Sequence, residues 1–219
     1  MRKILLVFGA ILLCGIPALA QEYPKAELFM GYEYIRFGTA MGGNPNLNVN
    51  GGGGSIAYNF NSVLGLKAEF TGAGIGNNTM TDSTGLTTLT RSANMFTYLF
   101  GPQVTIRKNS RVQPFGHLLF GGAYSNYYAN VQTKGAVSTT PTLQDAGKQA
   151  FAMAFGGGID VKASQHVAIR VGQFDYFMTR FSGRSVSTAG SGSVGALTIS
   201  NQSSFRYMAG VNFLLGGSK

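Results

Sequence analysis

The chain has 219 residues, 44% hydrophobic and only 11% charged, with 32 glycines, no tryptophan, one cysteine and a formal net charge of +9. That length suits one β-domain or at most two small ones, and so low a share of charge, with no long apolar run after residue 16, is foreign to a cytosolic domain. Disorder is excluded by the 16 phenylalanines and 10 tyrosines, which need burial.

Residues 1–20 read as a cleaved secretory signal. Arg2 and Lys3 form the charged start, Ile4 to Ile16 the apolar stretch, and Ala18-Leu19-Ala20 the small-residue cleavage site, with cleavage expected after Ala20. An uncleaved anchor would need about 20 apolar residues, and Pro17 interrupts the stretch. Cys14 follows Ile11-Leu12-Leu13 rather than the small residue that a lipoprotein signal places before its cysteine. The mature chain, residues 21–219, then has no cysteine for disulfides or thiolate–metal chemistry. Losing Arg2 and Lys3 lowers the formal charge from +9 to +7. The remaining basic residues are scattered, a poor pattern for nucleic acid.

From Ala26 the dominant pattern is period-two alternation, the signature of strands with one apolar face, in eight segments. Ala26 to Phe37 sets Leu28, Met30, Tyr32 and Tyr34 against Glu27, Phe29, Gly31 and Glu33. Gly51 to Phe60 sets Ile56, Tyr58 and Phe60 against Ser55, Ala57 and Asn59, and Val63 to Thr71 sets Leu64, Leu66, Ala68 and Phe70 against Lys67, Glu69 and Thr71. Asn94 to Ile106 sets Phe96, Tyr98, Phe100, Val104 and Ile106 against Thr97, Gln103 and Thr105. Val112 to Tyr124 puts Leu118, Phe120 and Tyr124 opposite His117, and Gln149 to Val161 separates Phe151, Met153, Phe155, Ile159 and Val161 from Ala152, Ala154, Gly156, Gly158 and Asp160. In Val167 to Phe181 the parity breaks: a bulge near Gly172 would bring Arg170, Gln173 and Asp175 to one face. Ser204 to Leu215 sets Phe205, Tyr207, Ala209, Val211 and Phe213 against Arg206, Gly210 and Asn212.

Connections alternate strictly between short (61–62, 107–111, 163–166) and long, polar and glycine-rich (38–50, 72–93, 125–148, 182–203). Tight turns at one end and long loops at the other are the layout of a transmembrane β-barrel. One face of nearly every segment is apolar; the other carries small residues and charges of both signs. A lipid-facing exterior around a lumen network of Glu27, Glu33, Lys67, Glu69, His117, Asp160, Arg170, Asp175 and Arg206 follows, because unpaired buried charge is costly and strands cross lipid only as closed barrels. Tyr23, Tyr58, Tyr98, Tyr124 and Tyr207, near segment ends, would suit interfacial girdles. The competing arrangement, a lipocalin-like calyx with its apolar face inward, would leave an outer face too poor in charge for solubility.

The segments Phe96-Thr97-Tyr98-Leu99-Phe100-Gly101-Pro102, Pro114-Phe115-Gly116-His117, Phe155-Gly156-Gly157-Gly158-Ile159-Asp160 and Ile169-Arg170-Val171-Gly172-Gln173-Phe174-Asp175-Tyr176 resemble small OmpA-like, porin-like outer-membrane β-barrel proteins of the eight-stranded type, across essentially the whole mature chain. Gly210, Phe213 and Leu215 look like the assembly signal of such proteins, although Met208 stands where a polar residue is usual and Gly216-Gly217-Ser218-Lys219 run past the expected terminal aromatic. The resemblance implies insertion into the bacterial outer membrane by the barrel assembly machinery, and no shared reaction. It also implies that no room is left after residue 216 for the peptidoglycan-binding domain of larger relatives.

No catalytic constellation stands out. His117 and His166 are the only histidines, and His166 falls in an expected turn, so a histidine metal site lacks ligands. His117 reads as a structural lumen residue, and there is no G-x-S-x-G. Gly51-Gly52-Gly53-Gly54 lacks the Lys-Ser/Thr of a phosphate loop and leads into a strand. Asn77-Asn78-Thr79 and Asn201-Gln202-Ser203 match the glycosylation acceptor only by chance in a bacterial setting. The expectation is therefore an all-β, eight-stranded antiparallel transmembrane barrel with short periplasmic turns and long extracellular loops. It is expected to be no enzyme and to use no cofactor or metal, with a structural or surface-interaction role and a side-chain-filled lumen. Its partners would be outer-membrane lipid, the assembly machinery and an extracellular ligand at loops 38–50, 72–93, 125–148 and 182–203. The alternatives are a narrow channel for small solutes and a lipid-modifying barrel enzyme built on His117.

Overall fold

The computed structural model describes residues 23–37, 47–81, 85, 87–108, 111–133, 142–180, 184–186, 197–199 and 202–216. The expected signal segment 1–20 lies outside them, as does most of the expected loop 38–50. Eight long strands form the wall: β1 (Ala26–Phe37), β2 (Leu47–Asn59), β3 (Leu64–Thr81), β4 (Thr87–Thr105), β5 (Val112–Thr133), β6 (Thr142–Lys162), β7 (Val167–Arg180) and, after the short β8 (Arg184–Val186) and β9 (Leu197–Ile199), β10 (Gln202–Leu215). Each long strand pairs antiparallel with its neighbours, and β10 closes on β1. Among the described residues no helix is long and apolar enough to cross a membrane, which leaves crossing by strands open.

Pairing is staggered around the wall. Ala26 faces Tyr58 on one side, whereas the partners traced onward from there return to β1 near its other end, where Arg36 faces Phe205. Such a shear tilts the strands and sets the bore. The short connections carry the turn chemistry that their sequences suggest. Asn61 Oδ1 accepts from the amides of Val63 and Leu64 at 2.8 and 2.7 Å, and Ser164 Oγ accepts from His166 and Val167 at 3.3 and 3.1 Å.

Alternation sorts the two faces. Outside, Met30, Leu66, Phe100, Phe120, Phe155, Ile169, Phe174 and Val211 stand exposed, Phe155 at 62%. In lysate or buffer such a continuous apolar girdle would be an aggregation surface. At the bulge, Met208 faces Gln173 while Gly210 faces Arg170, so Val171 and Gly172 together oppose Ala209. Arg170, Gln173 and Asp175 consequently all point inward.

The strands outrun their apolar segments at the loop end. Stretch 72–93, expected as a loop, is mostly strand: β3 continues to Thr81 and β4 starts at Thr87, with Gly85 at φ 69° in between. Within 125–148, β5 runs to Thr133 and β6 begins at Thr142, and 182–203 contains the paired β8 and β9. Register shifts at Ile75/Asn78 and Ser125/Tyr127 mark where these extensions begin. Thr79, Thr81, Thr87, Thr88, Thr90 and Thr133 favour strand, yet where neither face is apolar the alternation vanishes.

Candidate functional site

The lumen contains a continuous polar network, and all nine residues expected on the inner face are buried there. At the turn end, Glu27 accepts from Arg107 Nη2 at 2.5 Å, Asn59 Nδ2 at 2.9 Å and Asn212 Nδ2 at 3.0 Å. Asn212 Nδ2 also donates to Asp160 Oδ2 at 2.9 Å, and Asp160 takes the Arg170 fork through Nε at 2.8 Å and Nη2 at 3.0 Å. Two parallel charge-assisted bonds of this kind fix an arginine in orientation as well as in energy. The Arg170 guanidinium is further held between two phenyl rings, 4.2 Å from the centroids of both Phe29 and Phe115.

Gln173 connects this half to the centre. Its Oε1 accepts from Arg170 Nη1 at 2.8 Å and Lys67 Nζ at 3.2 Å, while Nε2 donates to Asp175 Oδ2 at 2.8 Å and Glu69 Oε2 at 3.2 Å. Lys67 and Glu69 pair at 2.7 Å. Arg206 bonds Glu69, reaches Asp175 Oδ2 through Nη2 at 2.6 Å and Nε at 3.0 Å, and approaches Glu33 at 3.6 Å. His117 Nε2 lies 2.9 Å from Asp175 Oδ1, with its ring stacked on Phe115. Carboxylates and cations thus alternate along the bore, each charge touching the opposite sign, the condition under which buried ions are tolerated.

Several members lay beyond the sequence reading. Arg107 falls in an expected turn, and Gln173, though expected on the inner face, shows no sign in the sequence of joining four charged groups. Phe29 is expected on the inner face with Glu27 and Glu33, and Phe115 only within a strand, but neither as a partner of Arg170. An inner face of small residues and charges was also too simple. Towards the loop end the lumen is filled mainly by Ile35, Val49, Met95, Leu99, Leu119 and Phe177 among alanines, together with the buried Thr71, Thr97, Thr179 and Ser204. An open depression of about 490 Å³ among β3, β4 and β5 is lined by residues including Gly72, Met95, Phe96 and Tyr124, none of them in the network.

Lumen glycines make the space for these side chains. A Cβ on Gly158 would run first into the Gly172 carbonyl oxygen and then meet the Gln173 backbone and Phe115 Cζ, both at 2.9 Å. Gly158→Val is therefore expected to displace the Phe115 ring from Arg170 and lower stability by about 1–3 kcal/mol, measured as the denaturant midpoint of the refolded barrel; an unchanged midpoint would contradict the packing.

Of the assembly-signal residues, Gly210 lines the inner face, while Phe213 and Leu215 are exposed on the outer face. Tyr23 and Tyr58 sit at the turn end, with Tyr23 OH donating to the Phe60 carbonyl at 3.1 Å. Tyr98 and Tyr124 lie on the outer face, and Tyr207 lies mid-strand there, bonded to the Val171 carbonyl at 2.9 Å across the bulge. No group of three or more metal-ligating side chains occurs among the described residues.

No family model and no curated protein matches the sequence. Among solved structures the chain is similar to Ail, the attachment invasion locus protein of Yersinia pestis, at 17% identity and TM-score 0.52, covering 87% of this chain and 98% of that one. It is also similar to Ail in complex with the heparin analogue sucrose octasulfate, at 14% identity and TM-score 0.51, with coverage of 87% and 98%. Neisserial surface protein A follows at 12% identity and TM-score 0.48, with coverage of 87% and 97%. With eight antiparallel strands closed around a filled lumen, this chain has the fold of the eight-stranded outer-membrane β-barrels.

Proposed function

We propose that the protein resides in the bacterial outer membrane as a plugged barrel, and that its role is structural or one of surface interaction exercised at the loop end. The filled lumen carries this reading. Arg206, Lys67, Arg170, Leu99, Leu119 and Phe177 are buried within the bore, ions towards the turns and apolar groups towards the loops. An ion crossing that path would have to break the pairs and then pass a filled, largely apolar stretch, so the solute-channel alternative is disfavoured. An eight-stranded interior is only wide enough for its own side chains. The apolar girdle outside and the strand extensions beyond it support a lipid-embedded wall carrying raised hairpins.

A non-enzymatic role fits the same geometry. His117 and Asp175 form a pair, but a hydrolytic relay needs a hydroxyl on the second imidazole nitrogen. His117 Nδ1 has no hydrogen-bond partner among the described residues.

Planar-bilayer recording of the refolded mature chain, residues 21–219, tests the plug: the expected result is a silent membrane from verified folded barrel, and reproducible conductance steps would favour the channel instead. Shortening the β3–β4 and β5–β6 hairpins to their apolar segments is expected to leave refolding intact and to abolish surface binding. Because sucrose octasulfate is bound by Ail, and because the chain is basic, a sulfated glycan is the first probe for that assay.

A further inference from the structure

We propose that Arg107 is a latch across the turn end of the bore, closed in this structure, whose outward swing admits water to the lower half of the ion network, Glu27, Asp160 and Arg170, while the upper lumen stays shut. The latch deepens the plugged-barrel reading above and rests on it. Arg107 follows β4 in a turn, where an arginine ordinarily keeps its charged head in water, as the neighbouring Lys108 does. Its side chain instead turns inward and is only 7% exposed. Nη1 donates to the Ser62 carbonyl in the β2–β3 turn at 2.6 Å, and Nη2 to Glu27 Oε1 on β1 at 2.5 Å. One guanidinium thus spans from the end of β4 to a neighbouring turn and to β1. Beneath it, Glu27 holds Asn59 on β2 and Asn212 on β10, and Asn212 holds Asp160 on β6. All four of these residues are buried.

Arg107 is also the network cation that can leave with the least left unpaired. Lys67, Arg170 and Arg206 are enclosed within the bore. Arg170 is fixed by the Asp160 fork, by Gln173 and between two rings, and Arg206 by Glu69 and Asp175. Glu27, by contrast, keeps the Asn59 and Asn212 amides when Arg107 departs, and the carbonyl of the exposed Ser62 passes to water. Arg107 Nε is buried without a hydrogen-bond partner among the described residues, an arrangement that costs free energy and is relieved when the side chain reaches solvent. The backbone beneath is pinned: Thr105 N donates to the Val63 carbonyl at 2.7 Å and Ile106 N to the Pro114 carbonyl at 2.8 Å. The motion is therefore a rotamer change of one side chain, not a rearrangement of the turn. Water admitted by it reaches Glu27 and Asp160 and goes no further than the cluster of Leu99, Leu119 and Phe177 that fills the bore above.

Residues 21–219 contain no cysteine, so a single introduced thiol reports access by itself. Thr105→Cys places one in the lower bore, where Thr105 is buried and accepts from Gln103 at 3.3 Å, and Ala154→Cys places one in the apolar cluster. The test is the rate at which a charged, water-soluble methanethiosulfonate modifies each thiol in the refolded chain, residues 21–219, in detergent micelles, read by mass. Arg107→Ala is expected to speed modification at Thr105→Cys by about tenfold or more, the weight of one charge-assisted hydrogen bond, and to leave Ala154→Cys unmodified. Arg107→Lys should fall between, because it keeps the charge but not the fork. Equal rates at Thr105→Cys with and without Arg107 overturn the latch. So does acceleration at both thiols, which means that the whole barrel has loosened. Rapid modification of Ala154→Cys with Arg107 in place would instead strike the plugged-barrel reading. Gel mobility verifies folding, and Arg107→Gln, which keeps more of the side-chain volume, carries the same comparison if Arg107→Ala does not refold.

Discussion

Arg206→Met is expected to cost the folded barrel about 3–5 kcal/mol, the penalty for leaving buried charge without its partner. The guanidinium is fully buried, bonds Glu69, reaches Asp175 at 2.6 and 3.0 Å and lies 3.6 Å from Glu33. Methionine would fill much of the volume and leave three carboxylates facing one another, with Lys67 and His117 as the cationic or polar neighbours. Adding Asp175→Asn and Glu69→Gln should recover part of the loss, since removing both signs costs less than removing one. Lys67→Met should cost less than Arg206→Met, because Glu69 keeps its bond to Arg206. The measurement is the denaturant midpoint of the folded-to-unfolded gel shift in vesicles. A loss below about 1 kcal/mol for Arg206→Met, on the scale of an exposed ion pair, would mean that water enters the lumen and screens the network.

Phe155→Arg is expected to destabilise the barrel by about 2–4 kcal/mol in a bilayer, the cost of an arginine at the lipid midplane. Phe155 lies in the middle of the apolar segment of β6 and is 62% exposed on the outer face. Phe155→Ala, which removes the ring without adding charge, separates the two contributions. The sign of the result decides which solvent surrounds the wall. If water surrounded this outer face instead, the same change would fall on a wet surface, within about 0.5 kcal/mol of neutral. A near-zero effect would therefore remove the membrane placement.

Much of this architecture is written in local pattern. Segments such as Asn94 to Ile106 alternate because one face of the strand meets an apolar medium and the other does not, so strand count and facing can be read residue by residue. The bulge could be located for the same reason: Arg170 shares parity with Phe174, not with Gln173 and Asp175, and only an extra residue at Val171–Gly172 puts all three polar groups on one side. Where the medium is the same on both faces, the pattern is silent. Stretches 72–81 and 87–93 carry threonine, asparagine and glycine without a regular apolar face, so the hairpin extensions of β3 and β4 read as loop. Leu99 and Leu119 sit in the upper lumen with apolar outer neighbours, so that level cannot be told from the outer face by alternation.

The pairing inside the bore is of another kind. Composition and parity place Glu27, Lys67, Asp160 and Arg206 on the inner face, and the need to neutralise buried charge requires that they find partners. Which partner each one meets depends on the shear with which β10 closes on β1, and on the height at which each strand enters the ring. Gln173 meets Lys67 across 106 residues of chain and Asn212 meets Glu27 across 185. Arg107 leaves its turn for Glu27, and Phe29 and Phe115 close on Arg170 from opposite walls. The sequence by itself determined that this chain is a closed wall of eight strands with an apolar outside and a charged inside, because those are properties of each strand and its two solvents. Only the tertiary structure decided which side chains meet in the bore, with the ion network towards the turns and a largely apolar cluster towards the loops, because register and closure, not local pattern, bring distant side chains to one height.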